Sequence, residues 1–199
     1  MYTRAMLSVA TLVGLSVLSP RAMAFVYTVD CGSGGSLTSV QTAVTQAATG
    51  DSVAVTGSCA PGTLSISNKN VLTLSGLTIQ GPAAVLLNAS THIYITGLTL
   101  NSGTGNIISV SDHSSLNATN TVLNGGVQST GNSSITFNTL TVNAGNGGAI
   151  LCLQGSDCHF TATTAIGLPS GDPTSPNIGV QAASAARFNF TSGRISGFD

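Results

Sequence analysis

From Leu72 onward the chain repeats one arrangement of apolar and polar positions. Two apolar residues alternate with polar ones, a small or polar corner follows, and two more alternating positions come after it. The copies are Leu72-Leu74-Leu77-Ile79, Ile93-Ile95-Leu98-Leu100, Leu116-Ala118-Thr121-Leu123, Ile135-Phe137-Leu140-Val142, Cys158-Phe160-Thr163-Ala165 and Phe188-Phe190-Gly193-Ile195. Their starts are 21, 23, 19, 23 and 30 residues apart. Alternation of period 2 puts each pair on one face of a β-strand. A unit of this length cannot cover its own inward side chains, but copies stacked about 4.8 Å apart cover one another. The pattern therefore predicts an all-β chain folded as a parallel β-helix, with coils of roughly 21–23 residues from about 52 to 197. A leucine-rich repeat shares this period but needs a fixed Leu and Asn scaffold with a helical return, and the polar returns here read as turns. An antiparallel sandwich fits strand spacings of about 8–12 residues and gives no reason for whole coils to align.

The same alignment predicts which side chains stack. Gln80, Asn101, Asn124 and Asn143 fall at one position after the second pair, an amide ladder at a turn. Thr78, Thr99, Val122, Thr141, Thr164 and Arg194 form an outward column. Just before the first pair stand Val71, His92, Ser115, Ser134, Asp157 and Arg187, and two residues further on Thr73, Tyr94, Asn117, Thr136, His159 and Asn189.

Ahead of the repeats, Leu37, Val40, Val44 and Ala47 follow helical spacing between Ser36 and Thr49, which predicts a short helix over 36–49 covering the open end of the core. Val53-Ala54-Val55 and Leu64-Ser65-Ile66, joined through Pro61-Gly62, supply the first strands. Further upstream, a basic start ending at Arg4, an apolar run from Ala5 to Leu18, a break at Ser19-Pro20 and the triplet Ala22-Met23-Ala24 predict a secretory signal over 1–24, cleaved after Ala24. That run is shorter than the roughly 18 apolar residues a membrane span needs. The product is expected to be secreted, periplasmic or at the cell surface, as one β-helix domain over 25–199.

The stretch GSLTSVQTAVTQAATGDSVAVTGSCAPGTLSI, followed by rungs such as LTLSGLTIQG, resembles the entry to secreted bacterial right-handed parallel β-helix proteins of the pectin-lyase-like superfamily. The resemblance covers most of the chain after the signal, implies right-handed coiling, and specifies architecture better than activity. Gly147-Gly148-Ala149-Ile150 is similar to the GGAI element of β-helical surface proteins and autotransporter passengers. Enzymes of the superfamily cut acidic polysaccharide with clustered Asp residues, for Ca²⁺ or acid catalysis, and with Arg or Lys. Here Asp30, Asp51, Asp112, Asp157, Asp172 and Asp199 are all separated in sequence and no two share a repeat register. The paired-Asp motifs of the hydrolases are absent, so no catalytic residue carries over.

Composition narrows the function further. Asp, Glu, Lys and Arg make up 6% of the chain, Glu is absent, and the cations after residue 24 are Lys69, Arg187 and Arg194. This leaves no basic footprint for nucleic acid or anionic lipid. The even set Cys31, Cys59, Cys152 and Cys158 predicts two disulfides, most simply Cys31–Cys59 and Cys152–Cys158. A zinc site is disfavoured because no CxxC pair occurs and His92, His113 and His159 are scattered.

Stacking would bring Asp157, His159, Arg187 and Asn189 into one exposed patch. Read as a site, His159 is an acid or base and Arg187 holds a carboxylate; read as structure, the patch is a surface ion pair with an outward histidine. Asp112-His113 falls in a turn that Asp favours. The long return GLPSGDPTSPN over 167–177, with Asp172, is a loop of the kind that carries binding in solenoids or an ordinary Pro-rich surface loop. Asn189, Asp172 and Tyr94 are the ligand-binding candidates. Asn88, Asn117, Asn132 and Asn189 head sequons that count only in a glycosylating host. One Thr per rung on the outward strand is half of a two-column ice-binding array.

GRISGFD follows a rung directly, so the expectation is a truncated product or a last rung covered by a partner or another copy. The reading is a non-catalytic secreted or surface β-helix for adhesion or polysaccharide contact, with no cofactor. The alternative is a polysaccharide lyase or hydrolase on acidic polysaccharide, for which alone Ca²⁺ is implied.

Overall fold

The computed structural model describes residues 23–32, 36–101, 106–144, 150–167 and 180–196. All but the last two residues of the expected signal over 1–24, the GGA of Gly147–Ala149, the long return with Asp172, and Asp199 lie outside them. The chain coils as a parallel β-solenoid of about five turns. Among the described residues it forms two sheets, one of 13 strands and one of 6, with one helix.

One coil shows how the sequence builds them all. Ala83–Asn88 lies in the smaller sheet, Thr91–Thr96 in the larger one, and Gly97 turns the chain before Thr99–Asn101 continues the larger sheet. The next coil, entered through Asn106–Ser111, stacks on this one with every pairing parallel. The register is the expected one throughout: Leu72, Ile93, Leu116, Ile135, Cys158 and Phe188 form one column. Leu74, Ile95, Ala118, Phe137, Phe160 and Phe190 form the next. Burying the large members of these columns contributes about 1.5–3 kcal/mol each. Phe137, Phe160 and Phe188 stack at centroid distances of 5.6 and 5.3 Å.

Two expectations are corrected. The returns are not merely polar turns: each contains a smaller-sheet strand with its own inward pair, such as Leu64 and Ile66, Val85 and Leu87, or Ile108 and Val110. Val71 and His92 do not belong to the column before the first apolar pair. Asn70 pairs with Thr91 and Leu72 with Ile93, leaving Val71 and His92 as bulges with φ of 54° and 55°. Later coils move that left-handed residue into the preceding turn. Asp112-His113 and Gln154-Gly155 are successive left-handed pairs closed by Ser114 N–H to Ser111 O and Ser156 N–H to Leu153 O. Such pairs make type I′ turns, and Asp112-His113 occupies the turn expected of it.

Polar ladders run beside the apolar ones. Asn101 donates to Gln80 Oε1 at 3.1 Å, Asn124 to Asn101 at 2.9 Å and Asn143 to Asn124 at 2.9 Å, which is the expected amide ladder. A second ladder is internal: the Ser90 hydroxyl accepts from Lys69 N–H, Ser114 from Ser90 N–H, and Ser133 from Ser114 N–H, at 3.0–3.2 Å. These buried hydroxyls satisfy backbone donors at the turn that no sheet can reach.

The head of the solenoid is capped. The helix spans Leu37–Gln46 rather than 36–49, with Ser36 as N-cap and Leu37, Val40, Ala43 and Val44 buried. It stops because Ala47 turns extended and the Asp51 carboxylate takes the Ala48 N–H at 2.8 Å. Gln41 pairs with the edge strand Gly62–Ser67 as another strand would, donating to Ser65 O at 2.9 Å and accepting from Ser65 N–H at 2.8 Å. Lys69 Nζ donates to Thr45 O and Ala47 O at 2.7 and 2.8 Å, closing the helix C-terminus. Both expected disulfides form, Cys31–Cys59 and Cys152–Cys158. The second lies inside the coil and crosses the Leu153–Ser156 turn, with both cysteines fully buried.

Two predictions follow from the corner and the cap. A Cβ on Gly76, at φ 72°, would stand 2.4 Å from Val55 O, whereas one on Gly97, at φ 69°, meets nothing nearer than 3.8 Å. Gly97→Ala should cost about 1–2 kcal/mol of backbone strain and Gly76→Ala clearly more, measured by urea unfolding. Asp51 is buried, and hydrogen bonds from Phe25 N–H and Ala48 N–H, aided by the Lys69 charge, hold its carboxyl below the usual range against the opposing effect of burial. A depressed folded pKa stabilises the fold above the unfolded value, and that contribution is lost as pH falls through the folded one. Thermal midpoints should therefore drop below about pH 4, and Asp51→Asn should lower the midpoint at neutral pH while flattening this acid dependence.

Candidate binding face

Outward residues of the larger sheet form columns because strand alternation sends every second side chain to solvent and the parallel ladder repeats it each coil. One column holds Thr73, Tyr94, Asn117, Thr136, His159 and Asn189. Beside it stand Ser75, Thr96, Thr119, Asn138 and Thr161 on one flank, and Ser115, Ser134, Asp157 and Arg187 on the other. None of these side chains is buried. The face is thus almost entirely hydroxyl and amide, with one aromatic platform, Tyr94, 40% exposed. Its charges are confined to Asp157 and Arg187, with His159 in the adjacent column.

The candidate patch assembles at the far end of this face. Asp157 pairs in register with Arg187, and His159 with Asn189. His159 Nε2 lies 3.5 Å from Thr191 Oγ1, a contact with a residue the sequence reading did not single out. The signal for Thr191 was available: it is the next outward residue after Asn189, one coil along from His159. Tyr94 shares the His159 column but stands three coils away, about 14 Å along the stack. It therefore belongs to the same face and not to the patch. Asp172 lies outside the described residues.

Among the described residues, Asp51 and Asp112 do not converge on Asp157. Asp51 is committed to the cap. Asp112 sits in its turn two coils from Asp157, about 10 Å along the stack alone, and accepts from Asn88 Nδ2. Among the described residues no three His, Cys, Asp or Glu side chains group closely enough to hold a metal. The expected outward threonine column, Thr78 to Arg194, is present, but it lies beyond the left-handed corner as a single column interrupted by Val122. Grooves of about 440 and 230 Å³ flank the cap helix, the larger lined by Gln41, Ser67 and Lys69, and neither lies on the columned face. No helix of the described residues is long and apolar enough to cross a membrane.

Compared with known proteins, the chain matches no family model, no curated protein and no solved structure.

Asp157 and Arg187 are both exposed, so their coupling should be that of a surface pair. A double-mutant cycle on Asp157→Ala and Arg187→Ala, read by denaturant unfolding, should give less than about 1 kcal/mol. A larger value would mean the patch is built for more than solvent.

Proposed function

We propose that the chain is an exported, secreted or cell-surface β-helix of the pectin-lyase-like kind that contacts polysaccharide without cutting it. The observation that carries this reading is the columned outward face of the larger sheet. Hydroxyl and amide groups both donate and accept, as sugar hydroxyls do. Tyr94 offers a ring on which a sugar face can pack. The groups are fixed by the backbone ladder and by the stiff χ1 of threonine, so little conformational entropy is lost on binding. The signal sequence, the two disulfides and the resemblance of residues 35–81 to the entry of exported bacterial β-helices agree with a destination outside the cytoplasm.

A second reading, a lyase or hydrolase for acidic polysaccharide, draws on the His159, Thr191, Asp157 and Arg187 patch. Hydrolysis needs two carboxylates within roughly 5–10 Å across the bond, and Asp157 has no such partner on its face among the described residues. Lyase chemistry would need Arg187 or His159 to take a proton beside a neutralised uronate, and only this reading calls for Ca²⁺.

Screening the protein on a glycan array, then titrating the best polysaccharide calorimetrically, tests the first reading. Tyr94→Ala should weaken that binding about fivefold to tenfold, equivalent to ~1–1.4 kcal/mol, and leave stability within about 0.5 kcal/mol. Release of unsaturated products from uronate polymers, lost on Arg187→Ala, would instead make the protein a lyase.

A further inference from the structure

The face also bears on which polysaccharide it takes. Resting on the binding reading above, we infer that the ligand is a neutral, hydroxyl-rich polysaccharide, extended along the stack, and that polyuronates are disfavoured. The argument is one of charge and shape. A polyuronate brings a carboxylate with every sugar, and each one pressed against the sheet loses water and needs a cation or several donors in return. Across the three columns from Thr73 to Asn189 the face offers one fixed cation, Arg187, and the ladder sets Asp157 directly opposite it. Those two charges cancel at one end of the face. The remaining length, from Tyr94 through Asn117 and Thr136, carries no cation at all. Lys69 does not make up the deficit, because its ammonium is committed to Thr45 O and Ala47 O beside the cap helix.

A neutral sugar chain meets no such penalty. Its hydroxyls exchange water for Thr, Ser and Asn partners that both donate and accept. The columns fix the direction of the ligand. Equivalent groups recur only along the stack, whereas across a strand the left-handed corner at Gly76, Gly97, Asn120, Thr139 and Ala162 ends the flat surface after two or three outward residues. The open face suits an extended chain gripped at several coils more than a single sugar held in a pocket. Its span from Tyr94 to Asn189 is four coils, about 19 Å.

The test is calorimetric titration of the full chain with two oligosaccharide series of increasing length, one neutral (gluco-, manno- and xylo-oligomers) and one of uronates, each at 20 and 500 mM salt. The inference expects at least one neutral series to bind, with affinity rising until the oligomer spans about 19 Å and changing less than twofold with salt. Tighter binding to uronate oligomers, falling tenfold or more with salt, would overturn the inference while leaving the binding reading in place. Binding to a neutral monosaccharide as tight as to its longest oligomer would overturn the extended arrangement. No binding in either series would overturn the inference and the binding reading together.

Discussion

Every other feature of this protein depends on one constraint: the backbone of each coil must hydrogen-bond to the coils above and below it, in parallel and in register. A strand from one coil has no partner of its own, so the ladder supplies all of its lateral hydrogen bonds. That requirement makes columns unavoidable. Whatever residue sits at a given place in one coil lies over its counterpart in the next, inward for Leu, Ile, Val and Phe, outward for Thr and Asn. The core is a set of stacked rows rather than an interlocked centre, and the surface is equally regular.

Registration demands that each coil turn its corners at the same places even though coil lengths differ. The chain meets this with left-handed residues. Gly57, Gly76, Gly97, Asn120, Thr139 and Ala162 bend successive coils within the larger sheet. At the other corner two left-handed residues are used per coil, separated in the early coils, as Asn68 with Val71 and Ala89 with His92, and adjacent in the later ones. The two solutions hold the first inward residue four positions after the first left-handed residue in each coil from Leu72 to Phe188. The buried serine ladder answers the polar cost of these corners, since a backbone N–H that leaves the sheet at a turn still needs an acceptor.

What could be read from the sequence follows the same physics. The larger sheet was legible because its apolar pairs recur with the corner between them. The amide ladder and the Asp157–Arg187 and His159–Asn189 neighbours came from that one alignment, whereas the disulfide pairings came from the even cysteine count and the simplest way to pair it. Of the smaller sheet only the first strand, around Leu64 and Ile66, was read, because the inward positions of its later strands change character along the stack, from Leu87 and Val110 to Ser129 and Cys152. Ser90, Ser114, Ser133 and Ser156 were not singled out, since nothing local distinguishes a buried hydroxyl from a solvated one. Val71 and His92 misled because sequence spacing counts a bulge residue as a strand residue. Asp51 stood in the sequence as one of six separated acids, and its role as acceptor for Phe25 and Ala48 depends on how the chain folds back at the cap. The charge poverty of the columned face was visible from the composition, whereas its arrangement, one cation opposite one anion, needed the register.

The placement of the disulfides has a mechanical meaning. Cys31–Cys59 ties the capping segment to the first coil, and Cys152–Cys158 closes a turn within a single late coil. No cysteine is free, and no covalent tie joins one coil to another between Cys59 and Cys152. If the ends of this molecule were pulled apart along its axis, the central coils would yield one at a time. Each would release its length only after its own row of hydrogen bonds and apolar contacts had parted. Such a stack behaves as a graded extensible tether, in which the cross-links fix where lengthening stops rather than whether it begins.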